Sequence, residues 1–381
     1  MIEMRSRAKY ALARIADALV APLGLLIGRR GPVPAHPRVL VVRCDHIGDG
    51  VMATSVLRPL RDALDPERLD VLTAPWLAPI FDGHQAVDRV ITYATPWWLA
   101  ARGASHMAAW MALPRVISRL RAQRYDIAID LRGDLRQIFF FLLLGGALDR
   151  VSSDRTGGRR LLTKVWPYEA PRHEVEKDMA VAALVGARGT PALDVPTDPA
   201  LPDSIATRLR EVAGPAGVLV MAVGSREPSR GWPPADAAAL AAMAWTQLGL
   251  GTVVLGGPGD RQDAETIVQL AGVPVTSLVG ATTLRQTVAI FAAATVAVCT
   301  DSGPMHLAAA AGVPVVALFG RGDPRQSRPW SDRAVVLSAG APCGCRHPTC
   351  DFVAGPGRCM ATHTPDTVLA AVAAAMATSV T

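Results

Sequence analysis

Acidic, hydroxyl and imidazole side chains gather in one short segment in the second half of the chain, Asp301–His306. It lies between two apolar runs, VAVC and VVALF, whose length and β-branched content predict buried strands. Ser302 or Gly303 can cap a helix with Pro304 in its first turn, and Gly312 can end that helix. Because a helix that begins at the carboxyl end of a strand directs N–H groups at anions, the segment predicts an anion site. The alternative is an ordinary capped strand-to-helix turn.

A second candidate is the glycine-rich segment IGDGVMA, residues 47–53, which follows the apolar run RVLVVRC. It fits the G-x-G-x-x-A pattern of dinucleotide-binding oxidoreductases. That pattern requires an acid at the end of the second strand, whereas the run LDVLTAPW carries Asp70 at its beginning. Asp49 would also direct a negative charge towards a pyrophosphate. A carboxylate at this place is better suited to accept a proton, and the alternative is an Asx turn or a helix cap.

Strand-like and helix-like segments alternate along both halves of the chain. The first half predicts strands at 36–44, 69–74, 88–93 and 125–131, a loop at 45–50, and helices at 51–64 and 114–124. The second half predicts strands at 217–224, 251–257, 296–299 and 315–319, and helices at 235–248, 262–270, 284–293 and 365–376. The Pro- and Asp-rich segment 190–204 indicates a domain boundary. The pattern predicts two α/β domains of parallel strands, residues 38–200 and 201–381, with a ligand cleft between them and an N-terminal arm, residues 1–37.

Positive charge is concentrated at the N-terminus. The whole chain has a net charge of +6, and its first 30 residues hold six basic and two acidic residues, a net +4. The rest of the chain is therefore nearly neutral, which argues against a general nucleic-acid binder. The apolar segment 18–28 is too short to span a bilayer and lacks a signal-peptide cleavage site, so we expect the arm to contact an anionic membrane surface. The alternative is that the arm is an N-terminal helix that either packs on the protein or stays flexible. The run FFFLLLGGAL, residues 139–148, predicts a buried helix.

The six cysteines fall into two groups. Cys44 and Cys299 end predicted strands and are expected to be small buried apolar residues. The other four have the spacing C-x-C-x4-C-x8-C, which lacks the paired C-x-x-C of a zinc ribbon. Reduced, packed thiols are therefore favoured over a zinc site at Cys343, Cys345, Cys350 and Cys359.

Several segments together resemble glycosyltransferase family 9, the heptosyltransferases that use ADP-activated heptose. The similar stretches are RVLVVRCDHIGDGVMATSVLRPLR, SREPSRGWPPADAAALA, GGPGDRQDAE and VGATTLRQTVAIFAAATVAVCTDSGPMHLAAAAGVPVVALFG. They occur in the family's order between residues 38 and 370, and the late cysteines followed by Met360 also recur in the family. The resemblance implies an α/β GT-B fold, two Rossmann-like parallel-sheet domains facing each other across a cleft. It places the acceptor in residues 38–200 and the nucleotide-sugar in residues 201–381.

The resemblance also implies a reaction, the inverting, metal-independent transfer of a heptose or similar sugar from an ADP-sugar to a lipopolysaccharide-type or surface-polysaccharide acceptor. Asp49 matches the family's general base. Arg230 stands where the family carries Lys, and is expected to neutralise the leaving diphosphate. Ser225 would bind the phosphates, and Asp260 the ribose hydroxyls. Further donor contacts are expected from Asp301, Ser302, Gly303, Met305 and His306, although a capping or packing role is the alternative for His306.

Two arginines in the run DLRGDLR, Arg132 and Arg136, follow a predicted strand of the first domain. We expect them to meet an anionic glycolipid or saccharide acceptor, the alternative being a solvated face. The resemblance implies no cofactor, metal or nucleic acid, and a cytoplasmic protein with peripheral contact to the inner membrane. The remaining alternatives are another nucleotide-sugar for capsule or O-chain assembly, a nicotinamide-dependent oxidoreductase, and a non-catalytic sugar-nucleotide-binding subunit.

Overall fold

The structure of the protein is a computed structural model that describes residues 31–101, 105–169, 172–198, 200–225, 230–339 and 359–377. The chain divides into two compact units between Pro196 and Thr197, inside the Pro- and Asp-rich segment. Unit 1 precedes this division and unit 2 follows it. The N-terminal arm up to residue 30, for which membrane contact is expected, and Cys343, Cys345 and Cys350 lie outside the described residues.

Unit 1 is built on a six-stranded parallel sheet with the order β3-β2-β1-β4-β5-β6. Residues 39–42 of the central strand β1 are completely buried, because helices or loops cover both faces of a parallel sheet. Its strands are β1 (Arg38–Arg43), β2 (Arg68–Thr73), β3 (Arg89–Thr92), β4 (Ile127–Asp130), β5 (Asp149–Ser153) and β6 (Lys164–Trp166).

Unit 2 repeats this architecture with the strand order β9-β8-β7-β10-β11-β12, also fully parallel. Its strands are β7 (Gly217–Ala222), β8 (Leu250–Val254), β9 (Val275–Ser277), β10 (Val296–Thr300), β11 (Val315–Phe319) and β12 (Ala334–Ser338). In both units the first and fourth strands are neighbours, so the chain runs outward from one central strand and then returns beside it. Such a reversal is the place where open α/β sheets bind ligands.

The α-helices connect these strands. Unit 1 contains α1 (Ile47–Ala53), α2 (Leu57–Leu64), α3 (Ala78–Phe81), α4 (His106–Gln123), α5 (Leu135–Gln137) and α6 (Glu174–Ala183). Unit 2 contains α7 (Asp203–Val212), α8 (Pro234–Leu248), α9 (Arg261–Ala271), α10 (Leu284–Ala292), α11 (Gly303–Ala310), α12 (Pro324–Ser327) and α13 (Pro365–Ala377). No helix among the described residues is both long and apolar enough to cross a bilayer.

The predicted strands and helices are largely confirmed, with boundaries that move by a few residues. One prediction is wrong in part: of the predicted loop 45–50, residues 47–50 are helical, because α1 begins at Ile47 and includes both glycines. A side chain at Gly50 would press against Leu77 and Ile80, with a Cβ only 3.2 Å and 3.3 Å from their terminal carbons. Close packing therefore explains this glycine, and Asp49 lies in the first turn of a helix.

The apolar run after α5 is helical, as predicted, and forms a π-helix over Ile138–Leu143. Ile138, Phe141, Leu142 and Leu143 belong to the core of unit 1. The expected burial of Cys44 and Cys299 is also confirmed, since both are completely buried. Four short strands at the sheet edges or beside them were not predicted from the sequence: β5, β6, β9 and β12.

Candidate functional site

A buried guanidinium lies at the carboxyl end of β1. Arg43 follows four fully buried apolar residues and is itself completely buried, which requires compensating anions. Its Nε donates to Asp45 Oδ1 at 2.9 Å, and its Nη1 donates to Asp178 Oδ1 at 3.3 Å. Its Nη2 lies 3.0 Å from Asp49 Oδ1. One arginine thus holds three carboxylates, of which Asp178 is 135 residues away in the sequence.

Asp49 is the member of this cluster that reaches solvent, with 14% of its side chain exposed. It lies in the first turn of α1, where the N-terminal end of a helix stabilises negative charge. Its second oxygen, Oδ2, lies 3.6 Å from Arg132 Nη1. The carboxylate is therefore fixed between two guanidinium groups while one side stays open to a substrate.

Arg132 comes to Asp49 because β4 pairs directly with β1. The turn after β4 is shaped by the buried carboxylate of Asp130, which accepts from the backbone N–H groups of Gly133 at 2.8 Å and Asp134 at 3.0 Å. Arg132 Nη1 also lies 3.1 Å from Asp45 Oδ2, and its guanidinium lies over the Trp98 ring at 5.2 Å. The reversal of strand order thus brings a base candidate and a cation to the same sheet edge.

A second group of charges lies next to the cluster. Helix α6 carries Asp178 and also Glu174 and Lys177, whose side chains form an ion pair. Glu174 Oε1 lies 3.2 Å from Arg155 Nη1, and the Arg155 guanidinium lies over the Tyr168 ring at 5.2 Å. Because all these groups are largely buried, α6 contributes a polar layer that supports the Arg43 cluster.

The carboxyl groups around Arg43 have different pKa values. Burial raises the pKa of Asp49, but the positive charges of Arg43 and Arg132 outweigh burial and place it well below the ordinary value. Burial outweighs Arg43 at the other two sites, so the pKa of Asp45 is raised and that of Asp178 is raised well above its usual range. Asp49 is therefore the carboxylate of this cluster that stays ionised over the widest range of pH.

Unit 2 has a polar site after β10, the strand that corresponds to β4 of unit 1. Arg230 Nη1 lies 3.0 Å from Asp301 Oδ2 and also donates to the backbone oxygen of Asp301 at 3.4 Å. Ser327 Oγ donates to Asp301 Oδ1 at 3.4 Å. A Cβ at Gly322 would come within 2.2 Å of Asp301 Oδ2, so only glycine leaves room for this carboxylate. Asp301 therefore orients Arg230 at the start of α11.

The predicted cap of α11 is formed differently from the expectation. Ser302 occupies the N-cap position, but its hydroxyl donates to the Thr300 carbonyl at 3.2 Å and makes no capping bond. Thr300 Oγ1 in turn donates to the Gly224 carbonyl at 3.1 Å, which ties β10 to the end of β7. Met305 is fully buried and His306 nearly so. Ser302, Gly303 and Pro304 are therefore the more accessible part of this segment.

Asp260 and Ser225 lie near the ends of β8 and β7. Asp260 Oδ2 accepts from the Gly257 backbone N–H at 2.8 Å, and a Cβ at Gly224 would lie 2.4 Å from its Oδ1. Burial raises the pKa of Asp260, although the bond from Gly257 opposes this shift. Ser225, which directly follows Gly224, is half-buried. The predicted donor residues of unit 2 thus occur around three neighbouring strand ends.

Two features of the site differ from the sequence analysis. Arg136 does not join Arg132 at the cluster: it pairs with Asp134 at 2.5 Å and lies over the Trp97 ring at 5.1 Å. Arg43, Asp45 and Asp178 were missed altogether. A usable signal was present for Arg43, since a charged residue at the end of a buried apolar strand must find a partner.

Within the ranges that the structure describes, no three His, Cys, Asp or Glu side chains are grouped so as to hold a metal ion. Of the four late cysteines, Cys359 alone is described, and it is buried. A side chain at position 320, now Gly320, would place its Cβ 3.4 Å from the Cβ of Cys359.

The depressed pKa of Asp49 predicts how activity responds to acid. In the native chain, protonation of Asp49 should not reduce kcat/KM until well below pH 4, the range in which an ordinary aspartate titrates. Arg132→Gln removes a lowering charge, so the pKa of Asp49 should rise and the acid side of the kcat/KM profile should move to higher pH. Arg136→Gln, which removes a charge paired with Asp134, serves as the control. Identical profiles for native and Arg132→Gln chains would contradict this electrostatic role.

Comparisons with known proteins place the chain in one family. The model of the family "Glycosyltransferase family 9 (heptosyltransferase)" matches residues 113–352. The chain is 26% identical to lipopolysaccharide heptosyltransferase 1 of Pseudomonas aeruginosa over 331 residues, which cover 83% of this chain and 88% of that protein.

Two solved structures show the same fold. The glycosyl transferase family 9 structure from Veillonella parvula has a TM-score of 0.72 at 20% identity, covering 89% of this chain and 97% of that one. The Escherichia coli ADP-heptose lps heptosyltransferase II has a TM-score of 0.69 at 22% identity, covering 90% and 100%. The expected α/β GT-B fold class is thereby confirmed, and with a family match over more than half of its length, this chain belongs to glycosyltransferase family 9.

Proposed function

We propose that this protein transfers a heptose from ADP-heptose to an anionic lipopolysaccharide-type acceptor, with inversion and without a metal ion. The observation that carries the proposal is Asp49, a carboxylate held ionised by Arg43 and Arg132 with one side open to solvent. The family membership supports glycosyl transfer, and one relative is named an ADP-heptose lps heptosyltransferase. The same reasoning assigns acceptor binding to unit 1, donor binding to unit 2, and a cytoplasmic location at the inner membrane.

In this mechanism the acceptor hydroxyl attacks the anomeric carbon from the face opposite the diphosphate. A new C–O bond forms, the bond to the diphosphate oxygen breaks with its electron pair, and Asp49 takes the hydroxyl proton. A carboxylate of such low pKa is a weak base before attack. It becomes sufficient once the attacking oxygen has begun to bond to carbon and its proton is strongly acidic, so we propose a late proton transfer.

The leaving diphosphate gains negative charge as this bond breaks. Arg230 offers a guanidinium oriented by Asp301, and α11 adds the N–H groups of its first turn. Ser225 and Asp260 would bind the phosphates and ribose from the neighbouring strand ends, beside Asp301, Ser302, Gly303, Met305 and His306. Arg132 is proposed to have a second role, in which it also meets the acceptor anion. Arg136 remains proposed as a weaker acceptor contact.

The test is a transfer assay with ADP-heptose and with UDP-, GDP- and CMP-sugars, using a deacylated lipopolysaccharide core as acceptor. We expect a product from ADP-heptose alone, with the anomeric configuration opposite to that of the donor and no loss of rate in EDTA. Transfer from a different nucleotide-sugar would overturn the donor assignment. Retention of configuration would overturn the mechanism.

Arg230 can be tested separately. Arg230→Ala should lower turnover by roughly 10²- to 10³-fold, the scale for losing one group that stabilises transition-state charge. Arg230→Lys should retain much more, because it keeps the positive charge that the family carries at this position. Arg325→Ala is the control, since this arginine is mostly exposed and pairs with Asp323. Unchanged turnover in the Arg230→Ala chain would remove Arg230 from the donor site.

A further inference from the structure

We propose that one exposed side of α4 in unit 1 docks on the surface of an anionic lipid bilayer. This side, the α4 face, consists of Met107, Trp110, Met111 and Pro114, followed by Arg115 and Arg119. The spacing of its apolar members, i, i+3, i+4 and i+7, places them on one side of the helix. Met107 is 69% exposed, Trp110 46% and Met111 72%, values that a soluble surface rarely combines in one place.

The apolar part of the α4 face rests on packed aromatic rings. The Trp110 ring lies 6.0 Å from Trp97 and 6.2 Å from Phe140, and Trp97 stacks on Phe140 at 6.0 Å. Phe139 packs on Phe140 at 5.1 Å. The exposed side chains are therefore presented by a firm support, and tryptophan is a residue that favours the interface between lipid and water.

The charge around the α4 face is of one sign. Between Asp88 and Asp126 the sequence contains six arginines and no aspartate or glutamate. Four of these arginines are exposed on α4 or directly after it: Arg115, Arg119, Arg121 and Arg124. A helix with exposed Met and Trp beside arginines has the composition of a segment that lies in the plane of an anionic membrane surface.

The same charge argues against the other occupants. A second copy of the chain that covered the α4 face symmetrically would bring these arginines close to their own equivalents. The N-terminal arm carries a net charge of +4, so it would also be repelled. Another exposed apolar pair, Val268 and Leu270 on α9, shares its helix with the acids Asp263 and Glu265 and with a single arginine, so its border has no excess of positive charge. Anionic lipid is the occupant that satisfies both the apolar and the cationic parts.

The experiment combines vesicle flotation with hydrogen–deuterium exchange on the full chain. Vesicles of phosphatidylcholine are compared with vesicles that also contain phosphatidylglycerol. We expect the exchange of residues 106–115 to slow only with phosphatidylglycerol vesicles. The triple variant Met107→Gln, Trp110→Gln, Met111→Gln should partition at least about tenfold less onto them, because it loses most of the apolar surface. The control variant Val268→Gln, Leu270→Gln should bind as the native chain does.

Several results would overturn the proposal. Equal flotation of the native chain and the triple variant, or vesicle-induced protection that omits residues 106–115, would show that lipid binds elsewhere. Slow exchange of 106–115 without vesicles, relieved in the triple variant, would show that the arm or a second copy covers the face. Sedimentation would separate these two cases. None of these measurements involves sugar transfer, so they are independent of the proposed function.

Discussion

A chain carrying Asp49→Asn is expected to lose between about 10²- and 10⁴-fold in turnover, the range for removing a general base. Asparagine keeps the size of the side chain and can still accept from Arg43, but it cannot take the proton of the acceptor hydroxyl. Binding of ADP, which the proposal assigns to unit 2, should be unchanged. The measurement is single-turnover transfer from ADP-heptose, with the melting temperature as the folding check for unit 1 and ADP affinity as the check on unit 2.

The structure also predicts how the Asp49→Asn substitution changes the stability of the chain. Asp49 accepts a charged contact from the buried Arg43, so its replacement should cost about 1.5–3 kcal/mol of folding free energy. Assays must therefore be made well below the unfolding temperature. Asp203→Asn is a matched control, because Asp203 is an exposed acid in the first turn of α7. Near-native turnover in the Asp49→Asn chain would show that Asp49 is an electrostatic partner of Arg43 and not the general base.

The second large effect concerns Arg43 itself. Arg43→Met should destabilise unit 1 by about 3–5 kcal/mol, because it leaves buried carboxylates without their shared cation. Arg38→Met offers a close control on the same strand, since Arg38 is partly exposed and pairs with the exposed Glu67. That change should leave stability close to that of the native chain, because ion pairs between exposed side chains contribute little. Hydrogen exchange of β1 peptides in increasing urea measures both losses within unit 1.

A substitution at Asp178 provides a comparison for the Arg43→Met chain. Because burial raises its pKa well above the usual range, Asp178→Asn should be tolerated far better than Arg43→Met. Its amide oxygen can still accept from Arg43 Nη1, as Asp178 Oδ1 does at 3.3 Å. If the Arg43→Met chain were as stable as the Arg38→Met chain, the cluster would not depend on its central cation.

The parallel strands were predictable because their signal is local. Runs such as VLVV in β1 and VVALF in β11 are β-branched and apolar, and they are bounded by turn residues. Strands β5 and β6 were missed since DRVSS and KVW are polar and short. Such edge or near-edge strands form because a neighbouring strand offers hydrogen bonds, which a window of sequence does not contain.

The helical start of α1 was missed for a related reason. Two glycines within three residues lower helix propensity, so residues 45–50 suggested a loop. Packing against Leu77 and Ile80 favours glycine here, because a Cβ at position 50 would lie 3.2 Å and 3.3 Å from their terminal carbons. Helix propensity therefore gave the wrong prediction for the segment that positions Asp49.

The residues that contact Asp49 could not be predicted from a sequence motif, because the strand order of the sheet brings them together. Arg132 was predicted only as a weak acceptor contact, since its distance from Asp49 follows from the pairing of β4 with β1. Asp178 lies on a helix that was not predicted at all. The resemblance to the family supplied the candidate base, whereas the ion pairs that set its charge became visible only in three dimensions.

The separation of Arg43 and Asp178 along the chain has a consequence for how the protein is made. The two residues are 135 positions apart. At a synthesis rate of roughly 5–20 residues per second, Asp178 leaves the ribosome on the order of ten seconds after Arg43. During that interval β1 can collapse against β2, but its terminal guanidinium cannot be buried with all of its anions. The nascent unit 1 must therefore keep this strand end hydrated until helix α6 emerges.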